Sequence, residues 1–485
     1  MNGRFSRFVA AFVALAAGSA AAELAVWPDY LNVALPVNIA PLNFKIAGKP
    51  PYAATCTAAN GDLLVAVVRT DGVVQWPRES WRNFLSAHLG EDVEMLVSAD
   101  EGVCVATNHI AGAIDSHLTY RLIEPSYESF HRMGVHQRDL TSFAERSLFQ
   151  NRQLGRRTCV NCHTYRQGDP GTYLFHLRQD DVGTVIVSPR WGRRKVDIAH
   201  PGLPARGTYP AWHPRNGFIV FSCNETRQMF YFDAPDNVEV VDFQSRLALY
   251  DIRQNRLVPL DGPNTDFETY PTWSPDGRQL YSARAHVPLK ELPTDYEARA
   301  KAVKAVAKEL HYDLVVRSFD ETTARFSAPR LLIDAVASKL SVSFPRVSPD
   351  GRWLVLTIGP YGNFHVWHNQ ADLWLLDLEK GTLRPLTELN SPAAESYHGF
   401  SKNGRWLVFS SRREDGAYTR PYFAHFDPKT GRFAKPFLLP TEDPGEHFER
   451  LLSYNVPELS AGPVTESPAE LRKLAEQPVM SVKEP

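Results

Sequence analysis

Long apolar runs are scarce in this sequence: beyond residue 22 nothing approaches the ~18 consecutive apolar residues that a membrane-spanning helix needs. An excess of one charge is missing too. The 53 Lys+Arg and 55 Asp+Glu residues leave a formal net charge of -2, so no general electrostatic pull favours nucleic acid or an anionic lipid surface as partner. Cysteine is sparse, with 5 in 485 residues, which excludes a disulfide-dense scaffold. The Gly-x-Ser-x-Gly elbow, the His-Glu-x-x-His pair and the phosphate-binding loop are all absent from the sequence. Composition excludes pervasive disorder, collagen and a coiled coil.

What is present points to strands and turns. Hydrophobic residues make up 43% and aromatics 11% of the chain, enough for a large core, and 29 glycines and 36 prolines imply many turns. Residues 1–22 have the pattern of a secretory signal peptide: Arg4 and Arg7, then the apolar stretch Phe8 to Gly18, then small residues at Ala20-Ala21-Ala22. The expected mature protein is periplasmic and starts near Glu23, with no integral membrane segment. In an oxidising compartment Cys56 and Cys104 are candidates for a disulfide worth roughly 4 kcal/mol if unstrained, or else two buried thiols. Cys223 is left as a small apolar residue.

The organisation expected from patterning is a small, mostly β domain over 23–125, a helical connector over 126–172, a repeated region over 173–458 and a loose Pro/Glu/Ser-rich tail over 459–485. In the first, Trp81, Phe84, Leu85 and Leu89 share a helical face with Gly90 as C-cap. In the connector, Ser142 and Glu145 have capping-box spacing for a helix reaching Asn151. The repeats begin at Tyr209-Pro210-Ala211-Trp212-His213-Pro214 and return as Tyr270-Pro271-Thr272-Trp273-Ser274-Pro275-Asp276-Gly277. Phe344-Pro345-Arg346-Val347-Ser348-Pro349-Asp350-Gly351 and, more loosely, Tyr397-His398-Gly399-Phe400-Ser401-Lys402-Asn403-Gly404 follow. Each is succeeded by a strand and then by a second turn, so each unit makes about four strands, the pattern of a β-propeller. A further partial unit spans 173–200, and Tyr296 to Leu310 reads as an inserted helix.

The strongest chemical signal is Cys159-Val160-Asn161-Cys162-His163. Two thiols three positions apart can add to the vinyl groups of haem, and the adjoining histidine can ligate its iron. The competing readings are a zinc half-site, which lacks a second ligand pair, a thioredoxin-type redox pair, which lacks its fold, and a local disulfide, which leaves His163 unexplained. For the sixth iron ligand, His176 is the first choice, with His213 and Met229 as alternatives. His200, Met133 and His131 are further candidates, and an open sixth position is another. His176 and His213 also have plain readings, as a hydrogen-bonded strand histidine and a surface turn histidine. The basic loop Arg190, Arg193, Arg194 and Lys195 around Trp191 reads as a solvated hairpin tip, or else as a contact for a haem propionate or an acidic partner. Arg412, Arg413, Asp415, Arg420 and His425 read as salt bridges or a polar site at a propeller mouth.

The Tyr-Pro-x-Trp-Ser-Pro-Asp-Gly units resemble the repeats of TolB-type propellers. Together with the leader, the small first domain and the Cys-x-x-Cys-His, they resemble periplasmic TolB-like proteins that carry a single c-type haem motif. The segments Tyr361 to His368, Glu395 to His398, Ser410 to Arg413, Tyr418 to Tyr422 and Ser453 to Glu458 are similar to that group as well. The resemblance implies an all-β-dominated, TolB-like propeller, six-bladed or else five-bladed. The function expected is that of an exported monohaem c-type cytochrome, transferring electrons or docking to redox or envelope proteins through a propeller face. The alternative is a non-redox scaffold or ligand-binding propeller in which the Cys-x-x-Cys is structural.

Overall fold

The computed structural model describes residues 24–123, 133–155, 157–230 and 238–483. The signal-peptide residues 1–22 and His131 lie outside these. Within them the chain is mostly β, and no helix is long and apolar enough to cross a membrane.

The first domain holds a five-stranded sheet in the order Ala34–Pro36, Gly102–Ala111, Asp92–Ala99, Ala53–Ala58, Leu63–Val65, beside a small four-stranded sheet. The helix Arg78–Ala87 buries Trp81, Phe84 and Leu85 as expected. Leu89 lies past its end and is exposed, while Gly90 takes a left-handed φ of 87°. The expected disulfide is not formed. Cys56 is paired with Met95 and Cys104 with Val97, so the strand Asp92–Ala99 runs between them. Residues two strands apart in a sheet sit ~9–10 Å from each other, beyond disulfide reach. Burial pushes the Cys56 thiol up to about 12, keeping it unreactive.

Six four-stranded blades follow, numbered here from the N-terminal side, and several expected boundaries move. Blade 1 is assembled from both ends of the chain. Ser453–Ser460 is its innermost strand, followed outward by His117–Ile123, Gly134–Asp139 and Glu145–Gln150. The propeller therefore begins at His117, inside the stretch assigned to the first domain, and the described part of the expected helical connector is mainly strand, with one 3-10 turn at Asn151–Leu154. Ser142 belongs to a turn, where its hydroxyl accepts from the Ala144 N–H and donates to Asp139. A capping-box spacing does not make a helix where the segments on either side of it pair as antiparallel strands; here Val135, Leu148 and Phe149 pack toward blade 2. Joining the two chain ends in one sheet closes the ring by long-range hydrogen bonding.

Blades 2 to 6 run in chain order, with inner strands Thr158–Arg166, Thr208–Trp212, Asp266–Trp273, Ser341–Val347 and Glu395–Phe400. Each inner strand packs on the next, and that of blade 2 also meets that of blade 1. The inserted helix forms over Tyr296–Ala305, capped by Asp295 accepting from the Ala298 N–H. The tail is not loose. Ser467 and Glu470 make a capping box for the helix Pro468–Ala475, which buries Leu471, Leu474 and Ala475, and Met480–Ser481 adds a parallel strand to the outer edge of blade 2.

Candidate functional site in the propeller channel

One backbone device recurs on all six inner strands. Each has a register shift in its pairing with the next strand, centred on a residue with positive φ. These residues are Cys162 (49°), Tyr209 (40°), Tyr270 (53°), Phe344 (50°), Tyr397 (46°) and Val456 (50°). Such bulges bend a strand and re-aim its side chains. They align Cys162-His163-Thr164-Tyr165 with Tyr209-Pro210-Ala211-Trp212 and its copies. A second geometry supports that alignment: Trp212 Nε1 donates to the Thr164 carbonyl at 3.4 Å just as Trp273 Nε1 donates to the Ala211 carbonyl at 3.1 Å. The Cys-x-x-Cys-His thus lies on the inner strand of blade 2 and contains that blade's copy of the repeat.

The rings at four of the six positions touch in sequence across the channel. Centroids are 4.8 Å apart for Tyr209–Tyr270, 4.2 Å for Tyr270–Phe344 and 4.7 Å for Phe344–Tyr397. Cys162 and Val456, the small pair, stand side by side where the collar is open. A cavity of about 470 Å³ lies along this collar and is lined by Cys162 and His163 together with Arg346, His398 and Glu458. That volume is within the ordinary range for cofactor and ligand sites.

His163 is buried, and neither of its ring nitrogens has a hydrogen bond of ordinary geometry. Burial holds its pKa down to about 4; the Thr119 carbonyl works against this and the Arg121 charge adds to it. It is therefore a neutral imidazole with free lone-pair capacity, the state a metal ligand requires. Cys159 is half-buried and does not line the cavity. Its Sγ lies 3.4 Å from Arg121 Nη2, which also reaches Met133 Sδ at 3.6 Å. Arg121 and Met133 are buried at the junction of blades 1 and 2, and the Arg121 Nε has no partner. No Cys159–Cys162 disulfide is present.

The other candidate ligands are spread apart. His176 pairs with Asn161 on the neighbouring strand, but its ring turns to the opposite face of the blade, against Phe221 of blade 3. His163 faces blade 1, sharing a small apolar pocket with Val135, Leu148 and Phe149. The two histidines are therefore not brought together. His176 Nδ1 is bonded to Thr184 Oγ1 at 2.8 Å, and burial lowers its pKa to about 3. His213 is fully buried rather than at the surface. Its Nδ1 accepts from the Arg215 and Asn216 N–H groups and its Nε2 donates to the Gly277 carbonyl, so it performs the turn duty that serine has in other blades. Gly277 is required there: its φ is +72° and a Cβ would lie 2.4 Å from the His213 ring. His200 accepts from the Gly202 N–H in a turn, and Met229 packs with the cluster around Phe243 and Val303. Among the described candidates, Met133 alone stands beside the motif.

The remaining clusters hold structure. Lys195 Nζ donates to the Ala475 carbonyl, Arg193 pairs with Glu466 and Arg194 donates to the Ile252 carbonyl, tying blade 2 to the C-terminal segment and to blade 3. Arg413 pairs with Glu395 at 3.1 Å, and Arg420 donates to the His447 and Leu452 carbonyls.

Arg346 and Glu458 were not singled out from sequence, because their role depends on sharing one level of the channel. Both follow the bulge by two residues, as do Thr164, Ala211, Thr272 and Gly399. Arg346 donates to the carbonyl of its own neighbour Pro345, and its charge acts on Glu458 and on His398. Glu458 Oε1 accepts from the Tyr165 N–H at 2.9 Å and from the Thr164 hydroxyl at 3.1 Å. Burial raises the Glu458 carboxyl to about 7 against these bonds and the Arg346 charge.

No family model matches the sequence, and no curated protein matches it. Among solved structures the fold is similar to TolB from Acinetobacter baumannii, at 11% identity over 76% of this chain and 79% of that one, TM-score 0.43. It is also similar to a TolB-designated protein from Agrobacterium tumefaciens (13% identity, 68% and 93% covered, TM-score 0.37). A third is a hypothetical selenium-binding protein from Sulfolobus tokodaii (10% identity, 73% and 96% covered, TM-score 0.40). The class, defined by the sheets themselves, is a mostly-β protein built around a β-propeller.

Proposed function

We propose that this is an exported, periplasmic propeller protein carrying one covalent c-type haem, and that it serves electron transfer while docking to redox or envelope partners. The observation that carries this reading is His163: a buried, neutral imidazole with no hydrogen bond of ordinary geometry, next to a cysteine and among the residues lining a cofactor-sized cavity. A buried polar ring left without partners costs about 1–3 kcal/mol unless something ligates it. The donor types suit haem, with His163 as the proximal iron ligand and Cys162 at the cavity wall, while Cys159, three residues back on the same strand, lies outside the cavity lining and would have to turn toward it. Such a group supplies one-electron chemistry. The chain's own contribution is to hold the imidazole neutral, on the side of the channel where the aromatic collar is open.

Export with haem-maturation machinery should give red protein whose haem survives denaturation and adds its mass to the chain. Cys162→Ala should remove that covalent link. A purified chain of bare processed mass, obtained despite competent maturation, would refute the reading.

The second reading, a non-redox scaffold or ligand-binding propeller, is favoured by one specific observation. Cys162-His163 fills a bulge that exists in every blade, so the fold has a use for those two positions without haem. Colourless, folded, partner-binding protein would support it.

A further inference from the structure

The channel cavity is a cup on one side of the aromatic collar. Every residue that lines it either sits at a bulge or follows one, on the inner strand or in the turn after it, and none precedes a bulge. Cys159, three residues before its bulge, is accordingly outside the lining. The rings of Tyr209, Phe344 and Tyr397 line the floor, and Pro275, Pro349 and Lys402 stand at the turns around the mouth.

Two residues past the bulge, the wall carries opposite charges with a gap between them. Arg346 lies on blade 5, across the channel from Cys162 and His163 on blade 2, and Glu458 lies on blade 1. Blade 6 stands between these two and supplies Gly399. A Cβ built at Gly399 would meet no atom within 4 Å, and its φ is outside the left-handed region. The backbone therefore does not require glycine there; what the glycine leaves is open space. Arg346 and Glu458 influence each other's charge, yet no ion pair joins them. Arg346 uses Nη1 for the Pro345 carbonyl, and Glu458 uses Oε1 for the Tyr165 N–H and the Thr164 hydroxyl. Arg346 Nε and Nη2 and Glu458 Oε2 have no hydrogen-bond partner among the described residues. As a pair the two are neutral, and what they offer is a donor fork and an acceptor oxygen held apart.

We propose that the cup binds a small zwitterion with an apolar body, an α-amino acid or a short peptide. Its carboxylate takes the Arg346 fork, its ammonium takes Glu458 Oε2, and its side chain rests on the collar rings. This deepens the second reading, a ligand-binding propeller, and rests on it. A guanidinium matches a carboxylate in geometry, and a carboxylate accepts strongly from an ammonium group. A ligand with one charge would displace water from both wall groups and satisfy only one, so the pair selects for a molecule that carries both. Lys402, the third charged group of the lining, is exposed at the mouth, and His163 and His398 are held neutral by burial.

The test is calorimetric titration of the full-length exported protein, its intact mass measured first, at pH 8, where Glu458 is ionised. The probes are L-phenylalanine, glycyl-phenylalanine, 3-phenylpropionate, which lacks the ammonium, and 2-phenylethylamine, which lacks the carboxylate. A zwitterion should bind, and which of the two binds tighter distinguishes a free amino acid from a peptide. Both single-charge analogues should bind roughly tenfold or more weakly. Arg346→Gln and Glu458→Gln should each weaken zwitterion binding by a similar factor. Gly399→Leu, which fills the gap and removes neither charge, should abolish it, and the exposed Arg472→Gln should leave it unchanged. Circular dichroism checks that each variant is folded; if a charge variant is not, the analogue series on wild type decides. Equal affinity for a zwitterion and a single-charge analogue, or undiminished binding in Gly399→Leu, would overturn this inference alone. So would colourless protein of bare chain mass that binds neither zwitterion. Red protein with the added mass of haem that binds neither would overturn it together with the second reading.

Discussion

The two halves of the channel collar make the same backbone bulge and use it for different ends. On the side of blades 3 to 6, Tyr209, Tyr270, Phe344 and Tyr397 turn it into a continuous stack of rings that plugs the ring of strands. On the side of blades 1 and 2 the bulge holds Val456 and Cys162, and the plug is missing. A strained backbone with positive φ costs about 1–3 kcal/mol per site, and aromatic packing offsets it where rings are present. Where they are absent, the chain retains the strain without that return. Retained strain and a lined cavity at one place mark that half as the place where the fold gives up stability for something else.

That contrast can be broken from either side. Tyr270→Ala removes the ring that touches two neighbours and should cost about 3–5 kcal/mol in denaturant unfolding. A loss under 1 kcal/mol would mean the stack is not structural. Glu458→Gln tests the open half through pH. The folded carboxyl is raised from 4.5 to about 7, so the native state holds a proton that the unfolded chain releases first. Its stabilising contribution is complete below pH 4.5 and is lost as pH rises through 7. Relative to wild type, Glu458→Gln should gain stability over that window, reaching about 2 kcal/mol above pH 7 after allowance for water at the channel mouth. Equal unfolding curves for the two proteins at pH 5 and pH 8 would remove the buried-carboxyl account.

Cys162→Tyr restores the repeat's usual residue and sharpens the comparison most directly. It should leave a folded propeller, changed by roughly 1–2 kcal/mol from the new ring, while abolishing covalent haem. Retention of haem in that variant would detach the cofactor from the cavity altogether. The smallest effect belongs to Val456→Ala, which removes two methyl carbons beside an existing cavity and should cost about 0.5–1.5 kcal/mol by thermal unfolding.

Legibility in the sequence followed how local each signal was. Pro-Asp-Gly turns and alternating strands lie within a few residues of one another, so blades 3 to 6 could be read directly. Blade 2 was read in its outer strands only, because Cys162-His163-Thr164-Tyr165 lacks the aromatic, proline and tryptophan that mark the other copies. The chemical motif masked the structural one. Blade 1 could not be read, since its inner strand comes from Ser453–Ser460 and its next from His117–Ile123. The Ser142 helix and the loose tail were misjudged for a related reason. A capping pattern and a polar composition are local, whereas strand pairing in blade 1 and burial of Leu471 and Leu474 are not.

The sequence by itself determined the class of fold, the repeat, and the presence of two thiols and an imidazole at haem-attachment spacing, because turn chemistry and motif spacing are properties of neighbouring residues. Tertiary structure alone decided that Cys56 and Cys104 are held apart by a strand, that His176 faces away from His163, and that Arg346 stands across the channel from the motif. Each of these depends on which strands lie side by side and which face each side chain takes, and that is fixed only when the ring closes.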